Sequence, residues 1–174
     1  MTLRANKPEF NIREKLKELD YSYIPHEKMP RSSIIQYATV ESSSNVSTNT
    51  SSYANLSNVT LNFSPQLDSS ALQITLTGTV RFLTAGNTRS RPDFRLVRSG
   101  TVLTGYQFSE ALQVRNCNFS SSSVELCIPF HFVTRDVPRT TETLEYTWQW
   151  RNLNNVAIDL AGVSIRQTIM EIRQ

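Results

Sequence analysis

Residues 72–82, LQITLTGTVRF, are the stretch on which the fold turns. Leu72, Ile74, Leu76, Val80 and Phe82 occupy alternate positions with polar residues between them, and Gly78 interrupts the apolar series. A period of two puts one face of an extended strand in a core and the other in water. The alternation returns in 124–133, VELCIPFHFV, where Val124, Leu126, Ile128, Phe130 and Phe132 form the apolar face. Pro129 has no amide proton to give a ladder, which places this strand at a sheet edge or at a bulge. In 143–152, TLEYTWQWRN, the residues Leu144, Tyr146, Trp148 and Trp150 share one phase, so both tryptophans are assigned to the core.

Outward from these three, shorter strand candidates follow one another. They are IIQYATV (34–40), NLSNVTLNF (55–63), FRLVRSGTVL (94–103), YQFSEALQV (106–114), NVAIDL (155–160) and VSIRQTIMEI (163–172). The serine-rich stretch 42–52 reads as a loop or a polar strand between them. About nine or ten short strands with polar turns and no helical period among them predict an all-β, antiparallel, jelly-roll-like sandwich over residues 32–174.

The first 31 residues read differently. All four lysines, Lys7, Lys15, Lys17 and Lys28, lie before residue 29. Residues 11–20 carry a helix signature: Asn11 as cap with Glu14 three positions on, and Ile12, Leu16 and Leu19 on one narrow apolar stripe. About ten residues is too short for a helix to stand alone in water, so this one needs a surface to lie on. Pro25 and Pro30 hold the following chain extended, with Tyr21, Tyr23 and Ile24 as further anchors. Residues 1–31 are therefore expected to form a docking arm.

Little chemistry is legible. The net charge of +3 over 174 residues is modest, with seven basic and five acidic residues in the first 31. It offers no body-wide basic field for nucleic acid. No apolar run approaches the roughly 20 residues of a membrane-spanning helix, and the first ten residues lack the apolar region of a secretory signal. Neither a membrane nor a nucleic-acid partner is expected, and synthesis in a cytoplasm is.

The two cysteines, Cys117 and Cys127, would face each other if a hairpin turned near Ser122. A bridge is geometrically conceivable, while a reducing compartment favours two thiols. The sequons at Asn45, Asn49, Asn55, Asn58, Asn62 and Asn118 are read as products of a composition rich in Asn, Ser and Thr.

His131 shares the polar face of its strand with Glu125 and Cys127, and His26 lies in the arm. Cys117, Cys127 and His131 supply no fourth zinc ligand, so no metal and no cofactor are expected. Cys127 and His131, four residues apart on a strand, are too distant to be a nucleophile and its base. The carboxylates Asp136, Glu142 and Glu145 read as solvated loop charges rather than a glycosidase pair. No catalytic string is present, and no enzyme is expected.

Arg89, Arg91, Arg95 and Arg98 cluster in NTRSRPDFRLVRSG. With Phe94 the only aromatic among them, nucleic-acid stacking is disfavoured. With Asp93 beside them they read as an ion-paired loop and strand face at a candidate subunit boundary.

Several idioms taken in order are similar to a known family. They are Ser64-Pro65 with Ser69-Ser70 before an apolar strand, then Leu96, Arg98, Gly100 and Thr101. Tyr146, Trp150 and Arg151 follow a threonine-rich turn, and Met170, Glu171 and Ile172 close the series. Over residues 33–173 the chain resembles a β-domain of virion proteins of tailed bacteriophages, common in those of cyanobacterial hosts. It departs from that pattern in its few glycines, in Ala71 where the family often has lysine, and in the short arm where a fibre usually precedes the domain.

The resemblance implies a capsid cement or decoration protein, a homotrimer on the outer shell whose partner is the major capsid protein. The alternative it leaves open is a short tail or head fibre, or baseplate protein, whose β-domain binds a host-surface glycan or receptor.

Overall fold

The computed structural model describes residues 28–44, 46–48, 50–84, 91–108, 124–153, 158–160 and 165–174. The helix expected over 11–20 and the anchors Ile12, Leu16, Leu19, Tyr21, Tyr23 and Ile24 lie outside the described residues. So do Arg89 and Cys117.

Eleven strands are described: β1 (Ile34–Ser42), β2 (Val46–Thr48), β3 (Ala54–Asn55), β4 (Leu61–Phe63), β5 (Ala71–Thr84), β6 (Pro92–Arg98), β7 (Thr101–Phe108), β8 (Val124–Asp136), β9 (Leu144–Asn152), β10 (Ile158–Leu160) and β11 (Ile165–Ile172). All their pairings are antiparallel.

In the first sheet β5 is central. It pairs along its length with β8 on one side. On the other side lie β11 and β10, followed by β1 and β2. In the second sheet β9 is flanked by β3 and β4 on one side and by β6 on the other, with β7 beyond. Short strands that continue one another count as one track, which leaves eight tracks in chain order. The sheets then read 1-8-3-6 and 2-7-4-5, the jelly-roll-like order of two interleaved Greek keys.

The alternation seen in the sequence is what fills the space between the sheets. Leu72, Ile74, Leu76, Val80 and Phe82 of β5 are fully buried, as are Tyr146, Trp148 and Trp150 of β9. At ~1.5–3 kcal/mol per fully buried large apolar side chain, this face dominates the stability of the sandwich. Pro129 sits on β8, which among the described residues is an edge strand of its sheet, a place that suits its missing donor.

Gly78 does not interrupt β5. It lies opposite Phe130 of β8, and a Cβ built on it would come within 2.9 Å of that ring. The glycine is the space that the Phe130 ring occupies.

Two sequence stretches divide where a single strand was expected. Residues 55–63 fold as β3, a 3₁₀ turn at Ser57–Val59, and β4, which buries Leu56 and Val59 between two short pairings with β9. Residues 94–103 form a hairpin instead of one strand: Ser99 (φ 45°) and Gly100 (φ 81°) make the turn between β6 and β7. Two consecutive positive φ values match the type I′ turn that suits strand twist. The serine-rich stretch contributes the polar strand β2.

Candidate functional site

Three polar assemblies stand out on this frame, and each gathers residues distant in sequence. The first is a row that closes the interior at one end of the first sheet. Across β1, β11, β5 and β8, Gln36, Glu171, Leu72 and Asp136 lie opposite one another in register.

Glu171 has no exposed surface. Its carboxylate accepts from the backbone N–H of Gln66 (2.9 Å to Oε2) and of Leu67 (2.9 Å), from the Ser70 hydroxyl (2.6 Å) and from Gln36 Nε2 (2.7 Å). Gln36 also donates to the Ser64 carbonyl at 2.7 Å. A buried carboxylate with four donors is satisfied without a cation. The Ser64–Ser70 turn and the Met170-Glu171-Ile172 segment, matched separately in the sequence, are two halves of this one contact.

Asp136, at the other end of the row, accepts from Arg98 Nη1 at 2.9 and 3.0 Å and from the Tyr146 hydroxyl at 2.7 Å. Arg98 and Tyr146 belong to the second sheet, so this carboxylate staples the two layers together. Burial, then the hydrogen bond to Asp136 and its charge, push the Tyr146 phenol well above its usual range, with Arg98 opposing. Asp136 had read as a solvated loop charge. The structure corrects this: it ends β8 facing inward and is 8% exposed.

The second assembly covers the outer face of the second sheet. Arg95 Nε donates to Gln149 Oε1 (2.7 Å), whose Nε2 donates to Asn55 Oδ1 (2.6 Å). The Arg95 guanidinium carbon lies 3.7 Å from the centre of the Tyr53 ring, and that of Arg151 lies 4.4 Å from it. Arg151 Nη2 in turn pairs with Asp93 at 3.0 Å. Asp93 thus finds an ion pair in Arg151, outside the expected arginine cluster, while Arg95 of that cluster meets a neutral amide and a ring. Arg95 and Arg98, three residues apart on β6, point to opposite faces of the sheet, as strand alternation requires. Arg95 belongs to the outer face and Arg98 to the staple. Arg91 holds the strand end through its backbone N–H, which donates to Asn152 Oδ1 at 3.0 Å.

The third assembly is the outer face of the first sheet, which is polar and rich in threonine. Arg166 pairs with Glu41 at 2.6 Å, and the Thr39 and Thr168 hydroxyls meet at 3.1 Å. Tyr37 is 71% exposed on the same face. His131 and Cys127 lie exposed on β8. Among the described residues no three His, Cys, Asp or Glu side chains converge as a metal site would need.

The Glu171 cradle was not found as a site from the sequence. Its one signal was a glutamate in the same strand phase as Ile165, Gln167 and Ile169.

No protein-family model matches the chain, and no curated protein sequence does. Among solved structures, partial likenesses include the VP2 subviral particle of infectious bursal disease virus. It is 11% identical, over 81% of this chain and 34% of that one, with a TM-score of 0.42. Another is the insecticidal delta-endotoxin Cry8Ea1 of Bacillus thuringiensis, 13% identical over 74% and 20%, with a TM-score of 0.40. A third is dimeric latent PorU of Porphyromonas gingivalis, 14% identical over 83% and 14%, with a TM-score of 0.38. The chain thus spans about a third or less of each of these chains, and the likenesses assign it no function.

Proposed function

We propose that the protein is a virion structural component without enzymatic activity, a cement or decoration protein of a tailed bacteriophage capsid. Residues 1–31 serve as its docking arm and residues 32–174 as its projecting body. The observation that carries this reading is the closure of the body on itself. Every residue of the described core cluster, and every partly buried one packed on it, lies between Ala38 and Ile169. The body's first strand is tied to its last: Ser32 N–H donates to the Arg173 carbonyl and Arg173 N–H to that of Ser33. The docking role of the lysine-bearing first 31 residues belongs to the proposal and rests on their composition and short apolar stripe.

Docking through the arm bridges neighbouring capsid subunits on the outer shell, so that internal pressure must break additional buried contacts. The body then associates as a homotrimer. The family resemblance supports the virion setting. The rival reading, a fibre or baseplate domain that grips a host glycan, would be served by exposed tryptophans, and Trp148 and Trp150 are both fully buried.

Deleting residues 1–28 tests the assignment. The expected product is a soluble body with nearly unchanged thermal unfolding that no longer adds to capsids lacking the protein. A truncated body that unfolds, or that decorates capsids normally, refutes it. Native mass spectrometry of the full chain at micromolar concentration is expected to show a trimer, and a clean monomer counts against that part.

A further inference from the structure

A cleft of about 750 Å3 opens where the end of β11, the start of β5, the end of β8 and the chain at Arg31–Ser32 come together. Three guanidinium-bearing residues line it, Arg31, Arg135 and Arg173, and among the described residues no acidic side chain does. Arg173 is engaged through a hydrogen bond from Nη1 to the Met29 carbonyl. Arg135 is exposed at its rim. Uncompensated arginines in one concavity raise the local affinity for an anion, and their planar forks fit a carboxylate.

Thr134 supplies an independent observation. It lines the same cleft and is 6% exposed, and its hydroxyl is buried with no hydrogen-bond partner. A buried hydroxyl left unmatched costs free energy that an arriving polar group recovers.

Besides the polar Ser32, Gln73 and Gln174, the wall has an apolar part in which Phe108 and the 46%-exposed Val133 are prominent. A bare inorganic anion gains nothing from that wall, whereas a carboxylate with an apolar neighbour does. Beside the cleft, β8 is an edge strand that pairs only with β5 among the described residues, which leaves room for extended chain.

We propose that this cleft is a receptor for an extended acidic peptide segment of a partner protein. One of its carboxylates lies between the Arg31 and Arg135 guanidinium groups and accepts the Thr134 hydroxyl. An adjacent apolar side chain packs on Val133 and Phe108. The site borrows Arg31, the last residue of the arm, and stands whether or not the virion reading does.

The test is fluorescence anisotropy on the full-length protein with labelled acetyl-Val-Glu-Val-Glu-Val-amide, alongside the same peptide carrying Gln or Lys in place of Glu. The acidic peptide is expected to bind at least about tenfold more tightly than the Gln form, with the Lys form weakest. Arg135→Glu is expected to weaken it by about tenfold or more. Thr134→Val is expected to weaken it several-fold while leaving the melting temperature unchanged or raised. That combination separates a lost contact from a damaged fold. Equal binding of the Glu and Gln peptides, or an unaltered affinity in Arg135→Glu, overturns the proposal. Displacement by inorganic phosphate at matched concentration would reduce the cleft to a simple anion site. Tighter binding of a tetragalacturonate would assign it to an acidic glycan. Tighter binding of the peptide of residues 18–27, which carries Glu18, Asp20 and Glu27, would assign it to this chain's own arm. Each of these three results also overturns it.

Discussion

Around Phe94, Phe130, Phe132, Trp148 and Trp150 the two sheets meet through rings, with Phe94 centred 5.2 Å from Phe130 and 5.1 Å from Phe132. Around Glu171 and Asp136, at the end of the same interior, they meet through hydrogen bonds. The aromatic region is non-directional: it holds the layers at a fixed spacing and depends on volume. The polar row is directional. It fixes which turn lies over the end of the sandwich, and it depends on each donor finding its acceptor. Burial alone does not distinguish them, since Trp150 and Glu171 are both fully buried.

The difference can be broken from either side. Trp150→Ala should have the largest effect, a loss of about 3–5 kcal/mol in denaturant unfolding, because it removes one of the largest fully buried side chains. Glu171→Ala should follow at about 2–4 kcal/mol, since it strands the Gln66 and Leu67 amides, while the Ser70 hydroxyl keeps the Leu67 carbonyl as acceptor. Hydrogen exchange should speed up in residues 64–70 of that variant and not in β9. An unchanged exchange pattern would mean that the carboxylate does not order the turn.

Arg98→Ala should cost less, about 1.5–3 kcal/mol, because Asp136 keeps the Tyr146 hydroxyl after losing its cation. A double-mutant cycle of Arg98→Ala with Tyr146→Phe should show coupling, as expected of two donors on one carboxylate.

The smallest effect concerns alkaline pH. The Tyr146 phenol is held protonated in the folded state, above its unfolded value of 10.0. Its contribution is therefore complete below pH 10. Above it the unfolded chain releases a proton that the folded one keeps, and stability falls as pH rises. Tyr146→Phe should show a shallower alkaline decline than the parent protein in urea titrations from about pH 9 to 11. Parallel declines would show that the phenol titrates alike in both states.

Most of the sandwich was legible because a period of two is a local property of the chain. Residues 72–82, 124–133 and 144–152 declared their buried faces one by one, and Pro129 declared an edge. Division of 55–63 and 94–103 was harder to read. The first depends on Leu56 and Val59 finding the interior through a 3₁₀ turn, and the second on Ser99, a residue type that rarely adopts positive φ.

The sequence by itself determined an all-β body, the phase of its long strands, the core placement of both tryptophans and the compositional break near Arg31. Tertiary structure alone decided the order 1-8-3-6 against 2-7-4-5, because strand pairing joins residues whose separation no local pattern encodes. It also decided the meaning of single polar residues. Asp136 and Glu171 look like any surface carboxylates in the chain text, and their burial follows from donors 10 to 135 residues away. Gly78 looks like a break in a strand until the Phe130 ring lies across it. The physical reason is common to all three: a side chain's environment is set by what the fold brings to it across space.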